Sequence, residues 1–268
     1  MTAPRTFNGG WLSEVEGGLL LQSCFRVNGA PAFAPDADHT TLSVDVLEAW
    51  SASGRPLELA PLPEGLDHDV VRTSVPNLLE VESSTVRLHL LDHAVAVVDG
   101  KAPEPIGWPR EGAIDLDPDQ HEGLEHAWSL ERSLTNVSQG AYVSDRTHRL
   151  GMDARLALAA QAGPTWPPRG ADEEGHDLGA GTHLRPSGTV YSWTRLIAAG
   201  APSEFALRAP LLGGLTSMVI DLDDGPRGVF LHADGHDANV DIGHRVRLVV
   251  RRLYAQDGVL RYGRKALK

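Results

Sequence analysis

From Gly188 the chain reads GTVYSWTRLI, then FALRAPLLGGLTSMVIDLDDG from Phe205, RGVFLHADG from Arg227, VDIGHRVRLVVRRLYAQDG from Val240 and VLRYGRKAL from Val259. These are short β-branched runs separated by Gly, Pro and Asp-Gly punctuation, the pattern of consecutive strands and turns. Asp223-Asp224-Gly225 and Asp257-Gly258 read as hairpin turns. In RVRLVVRRLY, Val246, Leu248, Val250 and Tyr254 fall on one face of a strand and Arg245, Arg247 and Arg251 on the other. That alternation marks a half-buried strand. Five strands closed by hairpins over residues 188–268 predict a small, partly open barrel of the OB-fold kind.

Working outward, Gly163–Ser187 (GPTWPPRGADEEGHDLGAGTHLRPS) is rich in Gly, Pro and acids and has neither helical nor strand period. Ala141–Ala160 suits one or two short helices, or a helix leading into a strand. Lys101–Gln120, with Pro103, Pro105, Pro109 and Pro118, is the best linker. The expected division is 1–120, an N-terminal degenerate ribbon and OB-like domain; 121–187, helices and a degenerate ribbon; and 188–268, the barrel. The first part repeats the second weakly: LLLQSCFRVNGAPAFAP then SASGRPLEL parallels LALAAQAGPTWPPR then RPSGTVYSW. The interval from Gly29 to Gly54 equals that from Gly163 to Gly188, and Ser53 and Ser187 precede the later glycines. Either this is a decayed second copy or the anchors coincide by chance in a Gly-rich chain. Ser84–Gly100 (STVRLHLLDHAVAVVDG) reads as a hairpin with a Leu/Val core.

Composition narrows the function. With 268 residues, 41% hydrophobic and 22% charged, the chain is an ordinary globular protein long enough for two domains. The most apolar segment, Leu211–Ile220, is interrupted by Gly213, Gly214, Thr216 and Ser217, short of a membrane helix. The N-terminus lacks the charged and apolar regions of a signal peptide, so the expected location is cytoplasmic, with no membrane partner. A single cysteine, Cys24, excludes intrachain disulfides and every Cys-based zinc or iron–sulfur site. The net charge of −12 argues against a nucleic-acid partner. Residues 245–268 nevertheless carry eight basic groups and one acid. That edge reads either as a solvated strand face or as a contact for phosphate or an acidic partner.

The second half also resembles a known family. LALAAQAGPTWPPRGADEEG (Leu156–Gly175), LRPSGTVYSWTRL (Leu184–Leu196), an Ala209-Pro210 strand and VDIGHRVRLVV (Val240–Val250) resemble the acyl-CoA-associated proteins classed as domain of unknown function thirty-five. The specific anchors are Pro167-Pro168-Arg169, Ser187-Gly188-Thr189-Val190 and Ile242-Gly243-His244-Arg245-Val246. Members pair a rubredoxin-like zinc ribbon with an OB-fold. Where the resemblance places ribbon cysteines, this chain has Ala159 and Ala162, then Asp172 and Gly175, so the zinc site is expected to be lost and replaced by packing from Trp166 and Leu178. GGWLSEVEGGLLLQSC (Gly9–Cys24) looks like an eroded copy of the family's helix and first knuckle.

The resemblance implies a non-catalytic accessory subunit of a thiolase-fold acyltransferase or condensing enzyme, helping to shape an acyl-CoA channel at a shared interface. No catalytic residue, metal or cofactor of its own is expected. The residues expected to meet ligand or partner are Trp166, Arg169, Tyr191, Trp193, Arg195, Arg245 and Arg247. In a nucleic-acid OB-fold Tyr191 and Trp193 would stack bases; on an acidic body, core packing or partner contact is expected.

Other constellations carry rival readings. His232, Asp234 and His236 would share a face of an extended strand and could hold a metal, the alternative being a metal-dependent enzyme; yet Asp234-Gly235 marks a turn. His121-Glu122-Gly-Leu-Glu125-His126 is similar to a zinc-protease helix, but its histidines are five apart where four are needed. His89, Asp92 and His93 read as cross-strand surface pairs. Cys24 lies in an apolar run without a nearby His and reads as a buried small hydrophobe rather than a nucleophile. Asn136-Val137-Ser138 is a glycosylation sequon without consequence in a cytoplasmic protein.

Overall fold

The computed structural model describes residues 4–103, 107, 111–133, 151–161, 166–167, 182–197, 200–256 and 258–268. The chain falls into two compact units, Met1–Glu122 and Gly123–Lys268.

In the first unit the strands are β1 (Arg5–Phe7), β2 (Gly10–Val15), β3 (Gly18–Ser23), β4 (Phe25–Val27) and β5 (Ala30–Ala32), followed by helix α1 (His39–Ala52). Then come β6 (Glu58–Leu59), α2 (His68–Ser74), β7 (Leu79–Glu80), β8 (Val86–Leu91), β9 (Ala94–Asp99) and β10 (Ile114–Leu116). The main sheet has the order β1-β2-β3-β9-β8, antiparallel throughout. Asn8-Gly9 and Asn28-Gly29, all four at positive φ, turn the chain between β1 and β2 and between β4 and β5. Such a pair of left-handed residues matches the twist of a tight hairpin. Asp38 starts α1 by accepting from Thr41 N, while the Thr41 hydroxyl receives the Asp38 N–H, a reciprocal cap. The helix is buried nearly all round, from Thr40 to Trp50, and packs on β3 and β9.

Three expectations are corrected in this unit. Gly9–Cys24 is not a helix and knuckle: Gly10–Val15 and Gly18–Ser23 are paired strands, with Gly17 at φ 74° in the turn. Of the Pro-rich stretch Lys101–Gln120, Ile114–Leu116 joins β4 as a parallel strand instead of bridging freely. Ser53-Gly54, matched in sequence to Ser187-Gly188, caps a helix, whereas Ser187-Gly188 open a strand. The equal spacing therefore carries no shared local structure. Ser84–Gly100 is the expected hairpin, β8 against β9.

Helix α3 (Pro118–Ser133) runs into the second unit, presenting Leu124, Ala127, Trp128 and Glu131 at helical spacing as its buried stripe. A π-helical turn (Asp153–Ala157) leads into β11 (Ala159–Ala160), paired with β12 (Thr182–His183). There follow β13 (Ser187–Leu196), a one-turn helix α4 (Arg208–Leu211), β14 (Leu215–Leu222), β15 (Arg227–Leu231), β16 (Arg245–Gln256) and β17 (Val259–Leu267). Ala209-Pro210 thus lies in a helical turn, not a strand, and the Gly213-Gly214 pair at positive φ separates it from β14.

The sheet order β15-β14-β13-β16-β17 is closed by a parallel bridge from His232, just past β15, to Ala266 of β17. Ala233 N donates to Ala266 O at 2.9 Å beside it. Three meandering strands, a fourth returning to the first and a fifth bridging to the third make the OB-fold circuit. The protein is mainly β with a nearly closed five-stranded barrel at its C-terminus. Val190, Met218, Ile220, Phe230, Val246 and Leu248 fill it.

Candidate functional site

Two of the three sequence anchors, 187–190 and 242–246, meet in space. Gly188 opens β13 where β14 passes so close that a Cβ would overlap Asp221 O and lie 2.6 Å from the Ile220 side chain, so only glycine fits. Two residues on, Val190 enters the core, and its backbone is clamped by the other anchor: Val190 N donates to His244 O at 2.9 Å and Gly243 N to Val190 O at 2.8 Å. Arg245 makes a forked pair with Asp223 (2.6 and 2.7 Å) and also reaches Thr189 Oγ1, while the Ser187 hydroxyl donates to Asp223 Oδ2 at 2.5 Å. The Arg245 guanidinium and then the Ser187 hydroxyl hold the Asp223 carboxyl below its ordinary value. Arg185 does the same for Asp224 through its backbone N–H and its side chain. Arg245, expected at a ligand, is thus engaged in fixing the β14–β15 turn to β13. Arg247, next but one along β16, is exposed.

A bulge in β13 between Val190 and Ser192 decides where the aromatics go. It shifts the register so that Trp193 pairs opposite Met218, although simple alternation from Val190 would put it on the opposite face. Since β13 pairs with β16 only over Ser187–Thr189, Trp193 stays 46% exposed at the barrel rim. Tyr191 in the bulge is 52% exposed, with the Arg227 guanidinium 3.6 Å over its ring, and Arg227 is itself held by Asp221. Val229, opposite Val219 on β15, and Ile242, beside the Gly243 clamp, are 67% and 70% exposed. Arg195 donates to Gly213 O at 3.1 Å. Trp166 is half-buried: it stacks on Phe230 (centroids 5.5 Å apart, 19° between planes) and its Nε1 donates to Ala154 O at 3.1 Å. Arg169 lies outside the described residues.

Half of the cationic edge is not a surface. Arg251 and Arg252 on β16 and Arg264 and Lys265 on β17 are buried, because both faces of the two strands are covered there. Arg251, placed by alternation on a solvent face, donates to Val250 O at 2.7 Å inside the unit. Arg252 pairs with Glu125 at 3.0 Å and Arg264 donates to Leu156 O and Leu248 O. Lys265 pairs with Asp234 at 3.0 Å. Arg208, fully buried, bonds Glu131 at 2.7 Å and Leu253 O at 2.9 Å, stands 4.0 Å from Asp234 and stacks 3.6 Å over Trp128. Burial pushes the Glu131 carboxyl above its ordinary value against the pull of Arg208.

This buried lattice, which sequence reading did not find, accounts for Asp234. Its carboxylate serves Lys265 within the fold, where the metal reading with His232 and His236 required it as a ligand. Among the described residues no three His, Cys, Asp or Glu side chains are grouped to hold a metal ion. The ribbon positions lack the chemistry: Ala159 is a buried methyl in β11, while Ala162, Asp172, Gly175 and Leu178 lie outside the described residues, and none of the four ribbon positions supplies a thiolate. Thiolate zinc does not fit this donor set. Asn136 and Ser138 are likewise outside the described residues.

Elsewhere, Cys24 is buried and its thiol donates to Gly9 O at 2.8 Å. His126 and Glu122 are exposed on α3 while Glu125 meets Arg252. Asp92-His93 is the hairpin turn itself, His93 at φ 49°, so only His89 sits within a strand of that pair. No helix among the described residues is long and apolar enough to cross a membrane.

The C-terminal unit is therefore a nearly closed five-stranded barrel with an OB-like strand circuit. No protein-family model matches the chain, and no curated protein does. Among solved structures, a chain from one titled "Ltp2-ChsH2(DUF35) aldolase" is similar at 17% identity, over 50% of this chain and 98% of that one, with a TM-score of 0.30. A likeness of that size assigns no activity or partner here.

Proposed function

We propose that this chain is a non-catalytic accessory subunit of a thiolase-fold acyltransferase or condensing enzyme, docking through the barrel and helping to shape an acyl-CoA channel on the partner. The observation that carries the reading is the exposed apolar set on the barrel: Tyr191, Trp193, Val229 and Ile242 stand on β13, β15 and the turn that clamps Val190. Large apolar side chains left in water on a rigid sheet suit a partner interface. Two of the sequence anchors add support, since 187–190 and 242–246, both part of the family resemblance, lie in this part of the barrel. Because half of the C-terminal cations are buried within the fold, docking rests on aromatic and aliphatic contact more than on a cationic strip.

The test is affinity co-purification of the tagged full chain with thiolase-fold enzymes encoded beside it. Wild type should retain one of them through washing. The double variant Tyr191→Asp, Trp193→Asp should lose it while keeping its circular dichroism spectrum, because charge at the centre of an apolar contact costs binding steeply. Retention of the enzyme by that folded double variant contradicts the proposed surface.

A further inference from the structure

Within the second unit a half-open cavity of about 460 Å3 lies beside β15, inside the range of small-molecule sites. Its apolar lining comes from Trp166, Phe205, Phe230 and Leu253; its charged lining is Arg155, Arg264 and Glu204. Stacked on Phe230, Trp166 makes a flat aromatic wall, and Gly228 permits it: a Cβ there would come within 2.6 Å of both rings. Arg264 is held in place by Leu156 O and Leu248 O. Arg155, on the π-helical turn, lines the cavity, and its buried Nε has no hydrogen-bond partner among the described residues. A guanidinium left short of acceptors at the border of a cavity suits an anionic ligand there.

We propose that this cavity binds a small amphipathic monocarboxylate, its ring or branched alkyl body against the aromatic wall and its carboxylate at Arg155. Among the described residues, two guanidinium groups against one carboxylate leave the lining with a single net positive charge, which matches a monoanion better than a phosphate dianion or a neutral ligand. The planar fork of Arg155 fits a carboxylate. This site shares Val229 with the proposed docking surface but does not rest on the accessory-subunit reading.

Isothermal titration calorimetry of the full chain with 2-naphthoate, and separately with neutral 2-naphthamide, tests the proposal. Wild type should bind naphthoate saturably at concentrations below about 1 mM, with naphthamide at least about tenfold weaker. Arg155→Gln should weaken naphthoate by about tenfold or more and bring the two ligands level. Val229→Trp, at an exposed strand position on the cavity wall, should block both while leaving the fold intact by circular dichroism. The proposal is overturned by absence of saturable naphthoate binding to wild type, by binding that survives Val229→Trp, or by an unchanged preference for naphthoate in Arg155→Gln.

Discussion

Replacing Arg208 by alanine should weaken the second unit more than any change at its surface. The guanidinium is fully buried, bonded to a Glu131 side chain that is 3% exposed, to Leu253 O at 2.9 Å, and stacked 3.6 Å over Trp128. Truncation strands the carboxylate and removes a donor from the partly buried Leu253 carbonyl. Breaking such a pair by deleting one partner costs about 3–5 kcal/mol. The stacking on Trp128, about 2 kcal/mol when desolvated, overlaps that figure because the same group makes both contacts. The expected loss is about 4 kcal/mol, or about 10 °C in the midpoint of a domain of this size. Thermal and urea unfolding followed by tryptophan emission would read it, since Trp128 is in contact with the deleted group.

A pH dependence follows from Glu131. Its carboxyl is already raised by burial, and the loss of Arg208 removes the nearest opposing charge, so in the variant it protonates more readily. Protonation relieves the stranded charge, so the cost of Arg208→Ala should be smaller near about pH 5 than near about pH 8. Arg208→Met combined with Glu131→Gln should recover much of the loss, because a buried pair replaced whole is often neutral. A loss below about 1 kcal/mol for Arg208→Ala, the value of an exposed pair, would refute the reasoning.

Further outcomes concern the anchors. Gly188→Ala drives a methyl into Asp221 O and the Ile220 side chain and should cost about 1–3 kcal/mol by urea titration, at a position that looks innocuous in sequence. Asp223 has a folded pKa below its unfolded one, so the unfolded chain binds more protons in acid. Its contribution is present above about pH 4 and is lost as the pH falls below that. Asp223→Asn should flatten the acid limb of a stability–pH curve, and an unchanged limb would assign it elsewhere. Elemental analysis of the purified protein should find well under one zinc per chain; stoichiometric zinc would contradict the reading of the ribbon positions.

Much of the barrel was legible because its strands carry period-two patterning and Gly or Asp-Gly turns, and because Gly188 marks a close approach of β14 and Gly243 a left-handed turn at φ 90°. The buried cations were not, since alternation read from Arg245 to Leu248 fails once both faces of β16 are covered, and the covering helix α3 contributes from more than a hundred residues away. The stripe Leu124, Ala127, Trp128 and Glu131 was the available signal: a glutamate on an apolar helix face asks for a buried cation. Trp193 was placed by a bulge that period-two reading does not foresee. In the first unit α1 has little amphipathic contrast, being buried nearly all round, so its signature was the Asp38 and Thr41 cap. The hairpins at Asn8-Gly9 and Asn28-Gly29 were signalled by those dipeptides, which weigh more than the family resemblance that had implied a helix within Gly9–Cys24.

The central claim is that the barrel is one component of an enzyme complex. Co-expression with each neighbouring thiolase-fold gene product, followed by size-exclusion chromatography with light scattering, measures this directly. The account predicts a stable peak whose mass requires both chains. Elution of this protein as a clean monomer or homodimer beside every candidate would contradict it.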